Sequence, residues 1–160
     1  MTTTNTEIDR IRDQLRRAVF GGAWHGPAVT EAADQIDETQ AWTRMPPSGH
    51  NACDILLHIA SWLEIARERL EGRVVDPTAE QDWPSPDDPG AAAWAAAKRR
   101  LRTAYEAVDR ALAGLSDPDL ERGAPGKDYT LYFLAHGVIQ HSLYHAGQIV
   151  LFRRLMEEVA

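Results

Sequence analysis

The sequence is poor in cysteine and lysine, and it contains no long hydrophobic run. Its single cysteine, Cys53, has no partner for an internal disulfide, which is typical of a protein from a reducing cytoplasm. No run of 18 apolar residues is present, so no membrane-spanning helix is expected. The segment from Met1 to Asn5 is not a basic start followed by an apolar core, so no secretory signal is expected either. Together these absences favour a soluble cytoplasmic protein.

The charge balance is acidic. Arginine outnumbers lysine fifteen to two, but the arginines are scattered among acids, and the stretch 67–71 (Arg-Glu-Arg-Leu-Glu) is typical of a solvated helix face. The formal net charge of −7 argues against nucleic-acid or membrane partners. Hydrophobic residues make up 44% of the 160 residues, which is enough for one hydrophobic core, so we predict a single domain over residues 1–160.

Apolar residues recur at spacings of three and four in four long segments, which predicts four main helices. The first covers roughly residues 5–20 and is ended by Gly21. The second is expected to begin after Asn51, a good N-cap with Asp54 at the third helical position, and to end before Gly72. The third is marked by the apolar pattern 94–112, and the last begins at about Thr130.

The connections between these helices are rich in glycine, proline and aspartate. A shorter helical segment is expected between the first and second main helices. The irregular segment 45–49 then follows, where the chain is expected to change direction. Four prolines between Pro77 and Pro89 predict a long acidic loop with little regular structure. No β-pattern is evident. The predicted fold class is therefore all-α, an antiparallel four-helix bundle with an extra short helical segment between the first and second main helices.

Two histidines lie on the core-facing stripe of the last helix. This stripe consists of Leu131, Leu134, Val138, His141, His145, Gln148, Phe152 and Leu155. Burying two imidazoles without partners costs a few kcal/mol, so they need something to satisfy them. A transition metal does so, because an i,i+4 pair of neutral imidazoles on a helix can direct two nitrogens at one ion. The spacing of His141 and His145 therefore indicates a metal site.

His58 is the strongest candidate for a third ligand. It lies midway along the second helix, at the edge of the stripe that contains Ile55 and Trp62. A lone core-edge histidine bonded to a carbonyl is the competing interpretation, but the histidine pair on another helix favours a metal. Cys53 lies well round the helix from His58 and is expected to be a small buried hydrophobe.

Two segments carry a resemblance to a known family. They are 56–62 (Leu-Leu-His-Ile-Ala-Ser-Trp) and the Tyr-His-x-Gly-Gln-Ile sequence at 144–149. The chain resembles the DinB/YfiT-like superfamily of four-helix metalloproteins, in which one histidine of the second helix and two of a His-x-x-x-His on the fourth bind a metal. By resemblance the ligands are His58, His141 and His145. The Trp-His-Gly-Pro loop at 24–27 and Gly49-His50 resemble a subgroup of the same family.

Other residues are candidates for the surroundings of the site. Tyr144 and Gln148 lie on the same side of the last helix as the core-facing stripe. There they could orient a histidine or a water molecule, or they could simply fill the core. Trp62 is expected to be packing or pocket wall. His136 lies about 140° round the helix from His141, so it is expected to support a ligand from behind or to lie at the surface rather than to bind the metal. His25 and His50 lie in loops that could fold over the end of the bundle.

Three neutral nitrogens leave at least one coordination position free, as in catalytic zinc sites. Zinc is the first expectation, with nickel, iron, manganese and cobalt left open because ligand type alone does not choose among them. Metal affinity is expected to weaken as pH falls through roughly 6.5, where protons compete for imidazole. No general base is evident, since Glu64 and Asp54 are not clearly beside His58 in the helical phase.

The resemblance implies a metal-dependent enzyme of the thiol S-transferase, isomerase or hydrolase type. A low-molecular-weight thiol, or hydroxide, would attack a small electrophilic substrate. The alternatives are a non-catalytic metal-binding protein of the stress or DNA-damage response, and a protein in which the metal only stabilises the fold.

Family members are often homodimers, which the resemblance therefore implies here. Trp94 and the alanine-rich start of the third helix could supply an apolar contact patch or, alternatively, ordinary core packing.

Overall fold

Helices account for most of the computed structural model, which describes residues 6–44, 46 and 49–159. In chain order these are α1 (Glu7–Phe20), α2 (Val29–Ala33), α3 (Ala52–Leu70), α4 (Ala79–Asp82), α5 (Ala91–Ala113) and α6 (Leu131–Val159), with 3-10 turns at Gln40–Trp42 and Asp117–Glu121. Within the described ranges there is no strand beyond an isolated bridge between Gly123 and Thr130. The predicted all-α class is confirmed, and α2 is the extra segment expected between the first two main helices.

Side-chain caps set the starts of the helices that matter most for the site. The Asn51 side chain accepts the backbone N–H of Asp54 at 2.8 Å, and the Asp54 carboxylate accepts the backbone N–H of Asn51 at 3.3 Å. This capping box satisfies two otherwise unpaired donors and begins α3 where the sequence predicted. Thr6 caps α1 in the same way, while Asn5 lies outside the described residues.

The helix directions follow from contacts at one end of the bundle. The start of α1 lies beside the end of α5, because Arg12 forms a bidentate pair with Asp109 at 2.8 and 2.9 Å. Asp117, just after α5, accepts the backbone N–H of Glu7 at 2.9 Å. His136 Nε2 lies 3.8 Å from Glu7 Oε1, so α6 begins at this same end. Therefore α1 runs antiparallel to α5 and in the same direction as α6.

The end of α3 also lies at this end of the bundle. Arg69 Nη1 donates to the hydroxyl of Tyr129, just before α6, at 2.8 Å. Consequently α3 is antiparallel to α6 but runs in the same direction as α5, which refines the antiparallel packing expected from the sequence. Two consecutive helices that run the same way need a connection that returns along the length of α3, about 28 Å at 1.5 Å per residue. Residues 71–90 provide it.

The interior is filled by apolar side chains from all four long helices. Fully buried members include Ile11, Leu15, Ile55, Leu56, Ile59, Leu63, Leu101, Leu112 and Ile149. Each such side chain contributes about 1.5–3 kcal/mol relative to exposure, so the bundle is stabilised mainly by its apolar core. Cys53 is buried as expected, and burial raises the pKa of its thiol to about 12, which leaves it unreactive at neutral pH.

The proposed dimer patch is exposed only in part. Trp94 is only 5% accessible and belongs to the core, as the competing interpretation of the sequence expected. Exposed large apolar side chains instead lie along α6, among them Phe133, Tyr144, Leu151 and Leu155. At the alanine-rich start of α5, Ala91, Ala92, Ala95 and Ala96 are exposed, and the homodimer stays a prediction. In the described part of the chain, no helix combines the length and the hydropathy needed to cross a membrane.

The connection between α3 and α5 is more ordered than the sequence suggested. The expectation of little regular structure is wrong for Ala79–Asp82, which forms the short helix α4 with Thr78 as its side-chain cap. Three hydrogen bonds from α3 hold it: Ser61 Oγ donates to the Gln81 carbonyl, His58 Nδ1 bonds the Asp82 carbonyl at 2.6 Å, and Trp62 Nε1 donates to Asp82 Oδ1 at 2.7 Å. The connection is thus fastened directly over the helix that carries His58.

Candidate metal centre

The three histidines singled out from the sequence lie together. One ligand nitrogen from each of His58, His141 and His145 can be chosen so that all lie within 4.8 Å of one another. The Nε2 atoms of His58 and His141 are 2.9 Å apart. His141 and His145 come from successive turns of α6, and His58 comes from the facing helix α3. The fold therefore brings the predicted ligand set to one point between two helices.

Hydrogen bonds fix which nitrogen of two of these rings is free. His58 Nδ1–H donates to the backbone carbonyl of Asp82 at 2.6 Å, and His145 Nδ1–H donates to the side-chain oxygen of Gln148 at 2.6 Å. Both partners are acceptors, so each Nδ1 carries the proton and each Nε2 presents a lone pair. This arrangement, in which an outer oxygen orients the ring of a ligating histidine, is general in metal sites.

The geometry and donor type fit a transition metal. Ligand nitrogens about 2.0–2.1 Å from a tetrahedral zinc lie about 3.3 Å from each other, which falls between the 2.9 Å and 4.8 Å found here. Neutral imidazole also suits nickel, iron and copper, so the donor set defines a transition-metal site without choosing the element.

Burial keeps these imidazoles neutral. Burial, together with charge repulsion from the nearby His145 and His58, lowers the pKa of His141 to about 3. Burial likewise lowers the pKa of His145 to about 4, opposed by the hydrogen bond to Gln148. The pKa of His58 is lowered, mainly by burial, while the Asp82 carbonyl acts in the opposite direction. Since ligation requires neutral imidazole, the three rings have at neutral pH the protonation state that a metal would need, and protons would compete for them only below the 6.5 of free histidine.

An indole that the sequence did not single out covers His58. Trp83, immediately after α4, stacks on the His58 ring with 3.8 Å between centroids and 6° between planes. His50 stacks on the same indole at 3.8 Å and 13°. Trp83 and Asp82 were missed because they lie in the segment expected to be an irregular loop. The only local signal was the capping pattern of Thr78 with Gln81, and it does not reveal where α4 docks.

A cavity of about 490 Å³ adjoins the three histidines. Its wall is largely aromatic and aliphatic: Trp62, Trp83, Tyr129, Phe133, Leu134, Val138 and Tyr144. Asp82 and Arg69 are the charged groups in this wall. A second cavity of about 440 Å³ adjoins His50, His145 and Gln148. Volumes of this size suit small organic ligands, and a mostly apolar wall with few polar groups is typical of ligand sites.

Arg69 departs from the sequence interpretation. The stretch 67–71 was expected to be a solvated helix face, and Arg67 fits that expectation, but Arg69 is only 3% exposed. Two residues along a helix correspond to about 200° of rotation, so neighbouring charges in such a stretch need not share an environment. The helix-end contacts with Tyr129 and the Val75 carbonyl bury this arginine beside the cavity.

The remaining candidates from the sequence divide into two groups. Tyr144 meets His145 edge-on at 5.0 Å, Gln148 bonds His145, and Trp62 lies 5.9 Å from His141 between ring centroids. These three and His50 belong to the site region. His25 instead lies in a surface depression with Leu143. Leu143 is on a different side of α6 from His141 and His145. His136 lies towards α1, near Glu7.

The fold and the site define a helical-bundle protein with a three-histidine candidate metal centre between two of its long helices. The family model that describes the DinB superfamily matches residues 23–149, which includes all three histidines. The chain therefore belongs to the DinB superfamily. No curated protein matches it.

Proposed function

We propose that His58, His141 and His145 hold one divalent metal ion, zinc before nickel, iron, manganese or cobalt, and that the protein is a metal-dependent enzyme. Its reaction is the attack of a thiol or a water on a small electrophilic molecule, as in S-transferases and hydrolases. Membership of the DinB superfamily and the close approach of the three imidazoles support the metal site. The enzymatic step is supported by the surroundings of those imidazoles.

The observation that carries the proposal is the open side of the triad. Among the described residues, no fourth histidine, cysteine or carboxylate joins the group. Asp82 does not close it, because its carboxylate lies on the Nδ1 side of His58, at 3.3 Å, and accepts from Trp62 at 2.7 Å. Structural zinc sites use four protein ligands, whereas catalytic sites use three and leave a position for water or substrate. A cavity of about 490 Å³ lies at this open side.

A bound zinc ion would supply Lewis acidity that lowers the pKa of a coordinated thiol or water, so that the nucleophile forms near neutral pH. The chain's own residues then act on the reactants. Trp62, Trp83 and Val138 exclude water from one side of the nucleophile and offer apolar surface to the electrophile. Among the described residues that line this cavity, Asp82 is the only carboxylate, and it lies on the Nδ1 side of His58, so we assign no side chain as the general base.

The proposal is tested with cobalt(II) in place of the native metal. Adding 2-mercaptoethanol should produce a thiolate-to-cobalt absorption band, and the thiol should then react with 1-chloro-2,4-dinitrobenzene in a metal-dependent way. His141→Ala should abolish the absorption band and the conjugation. A separate assay follows metal-dependent hydrolysis of p-nitrophenyl acetate. If cobalt binds but neither thiol conjugation nor hydrolysis exceeds the rate of the metal-free protein, a non-catalytic metal-binding role replaces this proposal.

A further inference from the structure

Arg69 is a buried cation in the wall of the cavity, whose charged residues are Arg69 and Asp82. It is 3% exposed. Its Nη1 donates to the Tyr129 hydroxyl and its Nη2 to the Val75 carbonyl, both at 2.8 Å, whereas its Nε is buried without a partner. Over the described ranges, no carboxylate lies within ion-pair distance of this guanidinium, and Asp76 pairs with Lys127 instead. The direct hydrogen-bond partners of Arg69 are therefore neutral oxygens, and the charge of Asp76 acts on it only from beyond ion-pair distance.

This environment leaves part of the guanidinium uncompensated. Burying a charged group among neutral partners is costly unless a counter-charge repays the lost hydration. The half-buried Arg100, in contrast, has a bidentate carboxylate partner in Glu64 at 2.7 and 2.9 Å. The Trp62 indole, 5.6 Å from the Arg69 Cζ, covers one face of the charge but supplies no acceptor. Arg69 carries five N–H donors and donates two of them to protein oxygens, so each Nη keeps one further N–H, while the Nε–H is buried without a partner.

Arg69 is placed on the same face of α3 as the metal ligand. His58 and Arg69 are eleven residues apart, which is close to three full helical turns, and Trp62 lies between them. The Trp62 ring centroid is 6.4 Å from that of His58, 5.9 Å from that of His141 and 5.6 Å from Arg69 Cζ. One small molecule can thus lie along the indole with one end at the histidines and the other at the guanidinium.

The wall of the cavity selects the type of anion. Among the described residues that line it, Arg69 is the only arginine or lysine, and Asp82 is the only carboxylate. A single guanidinium in an apolar wall matches the single charge and two oxygens of a carboxylate, which it can bind through two parallel hydrogen bonds. A phosphate dianion would need further positive charge that this wall does not offer.

We propose that Arg69 binds the carboxylate of a small molecule whose reacting end lies at His58, His141 and His145. The location of the reacting end rests on the proposed function, whereas carboxylate binding by Arg69 does not need the metal. The carboxylate can belong either to the thiol or to the electrophile that the thiol attacks. These two sources share the same recognition chemistry and are separated by experiment.

The first arm tests the thiol as the source. Cobalt(II) protein is titrated with 6-mercaptohexanoate and with 6-mercapto-1-hexanol, which differ only in the terminal group, and the thiolate-to-cobalt band reports binding. The second arm tests the electrophile. Zinc protein saturated with 2-mercaptoethanol is titrated calorimetrically with hexanoate and with 1-hexanol. In at least one arm the acid is expected to bind about tenfold more tightly than the alcohol, since hydrogen bonds to charged groups are the stronger ones.

Variants tie this preference to Arg69. Arg69→Met should bring the acid-to-alcohol ratio close to one and leave alcohol binding unchanged. Arg67→Met is the matched control, because Arg67 lies on the same helix, pairs with Glu71 at 2.7 Å and does not line the cavity. Should Arg69→Met lose its helical circular dichroism, Arg69→Lys takes its place. The lysine keeps the charge but not the planar fork, so it should lower the ratio several-fold.

Equal binding of acid and alcohol in both arms overturns the inference, and so does a preference that survives the substitution of Arg69. The same titrations with hexanoate and 1-hexanol on metal-free protein separate the two proposals. A carboxylate preference there, together with no thiolate band on cobalt protein, contradicts the proposed function alone. A thiolate band without any carboxylate preference contradicts the role of Arg69 alone.

Discussion

Trp83 lies flat on the imidazole of His58, with ring centroids 3.8 Å apart and ring planes within 6° of parallel. The indole comes from the connection between α3 and α5, and the imidazole comes from the middle of α3. Because the stack keeps water from one side of the ring, it contributes to the burial that lowers the pKa of His58. A residue outside the long helices thereby helps to set the pKa of a candidate metal ligand.

Trp83→Ala should raise the pKa of His58 in the metal-free protein towards its ordinary value, because the ring regains contact with water. Loss of a group that packs on a ligand should also weaken zinc binding, by about tenfold. Proton NMR titration of the imidazole and a competitive chelator assay measure the two effects. Trp24→Ala is the control, since Trp24 is fully exposed at 101%. An unchanged His58 titration in Trp83→Ala would show that the stack does not shield the ring.

Removal of any one of the three histidines should reduce zinc affinity by about a hundredfold or more, because only two of three protein ligands would remain. His58→Ala, His141→Ala and His145→Ala are compared with wild type in the same chelator competition at pH 7.5. His25→Ala and His136→Ala serve as controls, and each should bind zinc within about threefold of wild type. Wild-type affinity in His58→Ala would show that the three-histidine site is wrong.

Gln148→Leu should weaken zinc binding about 10- to 100-fold, the usual effect of removing the partner of a ligating histidine. The side-chain oxygen that holds His145 Nδ1–H at 2.6 Å is lost, so the ring can rotate and its tautomer is no longer fixed. Gln140→Leu is the matched control, on an exposed position of the same helix. The variants are ranked by zinc dissociation constant. Equal constants for the two would mean that Gln148 only fills space.

The metal-free protein should lose stability as pH falls from about 6.5 towards 3. Burial lowers the pKa of His141 to about 3 and of His145 to about 4, whereas the unfolded chain titrates near 6.5. Between these values the unfolded state binds more protons, so the free energy of unfolding decreases with falling pH and is fully retained above 6.5. Urea unfolding at pH 7.5, 6.0 and 5.0 measures this slope, and His141→Gln should reduce it. His25→Gln, at an exposed position, should leave the slope unchanged.

Chelation should leave the bundle folded. The apolar core of α1, α3, α5 and α6 is buried without help from the three histidines, so helical circular dichroism at 25 °C should persist in excess EDTA. Metal binding should still add about 4 kcal/mol when free metal exceeds its dissociation constant a thousandfold, visible as a higher thermal midpoint. Loss of helical signal on chelation would identify the metal as a structural staple.

The features that the sequence determined are those governed by local geometry. The i,i+4 spacing places His141 and His145 on one face of any helix that contains them, whatever surrounds it. The capping box of Asn51 and Asp54 begins α3 for an equally local reason, since its donors and acceptors are three residues apart. The same apolar periodicity predicted the four long helices and hence the all-α class.

Only the tertiary structure decided what else meets these histidines. Trp83 and Asp82 lie more than 20 residues beyond His58, and no periodic pattern shows where a proline-rich connection docks. Arg69 belongs to a stretch of alternating charge that is typical of a solvated face, yet it is buried because the ends of two helices and the Val75 carbonyl meet around it. Such contacts depend on helix directions and loop paths, which are set by packing of the whole chain. Spacing along one helix therefore determined that His141 and His145 lie side by side. The fold decided which ring covers His58, where the cavity lies and which cation lines its wall.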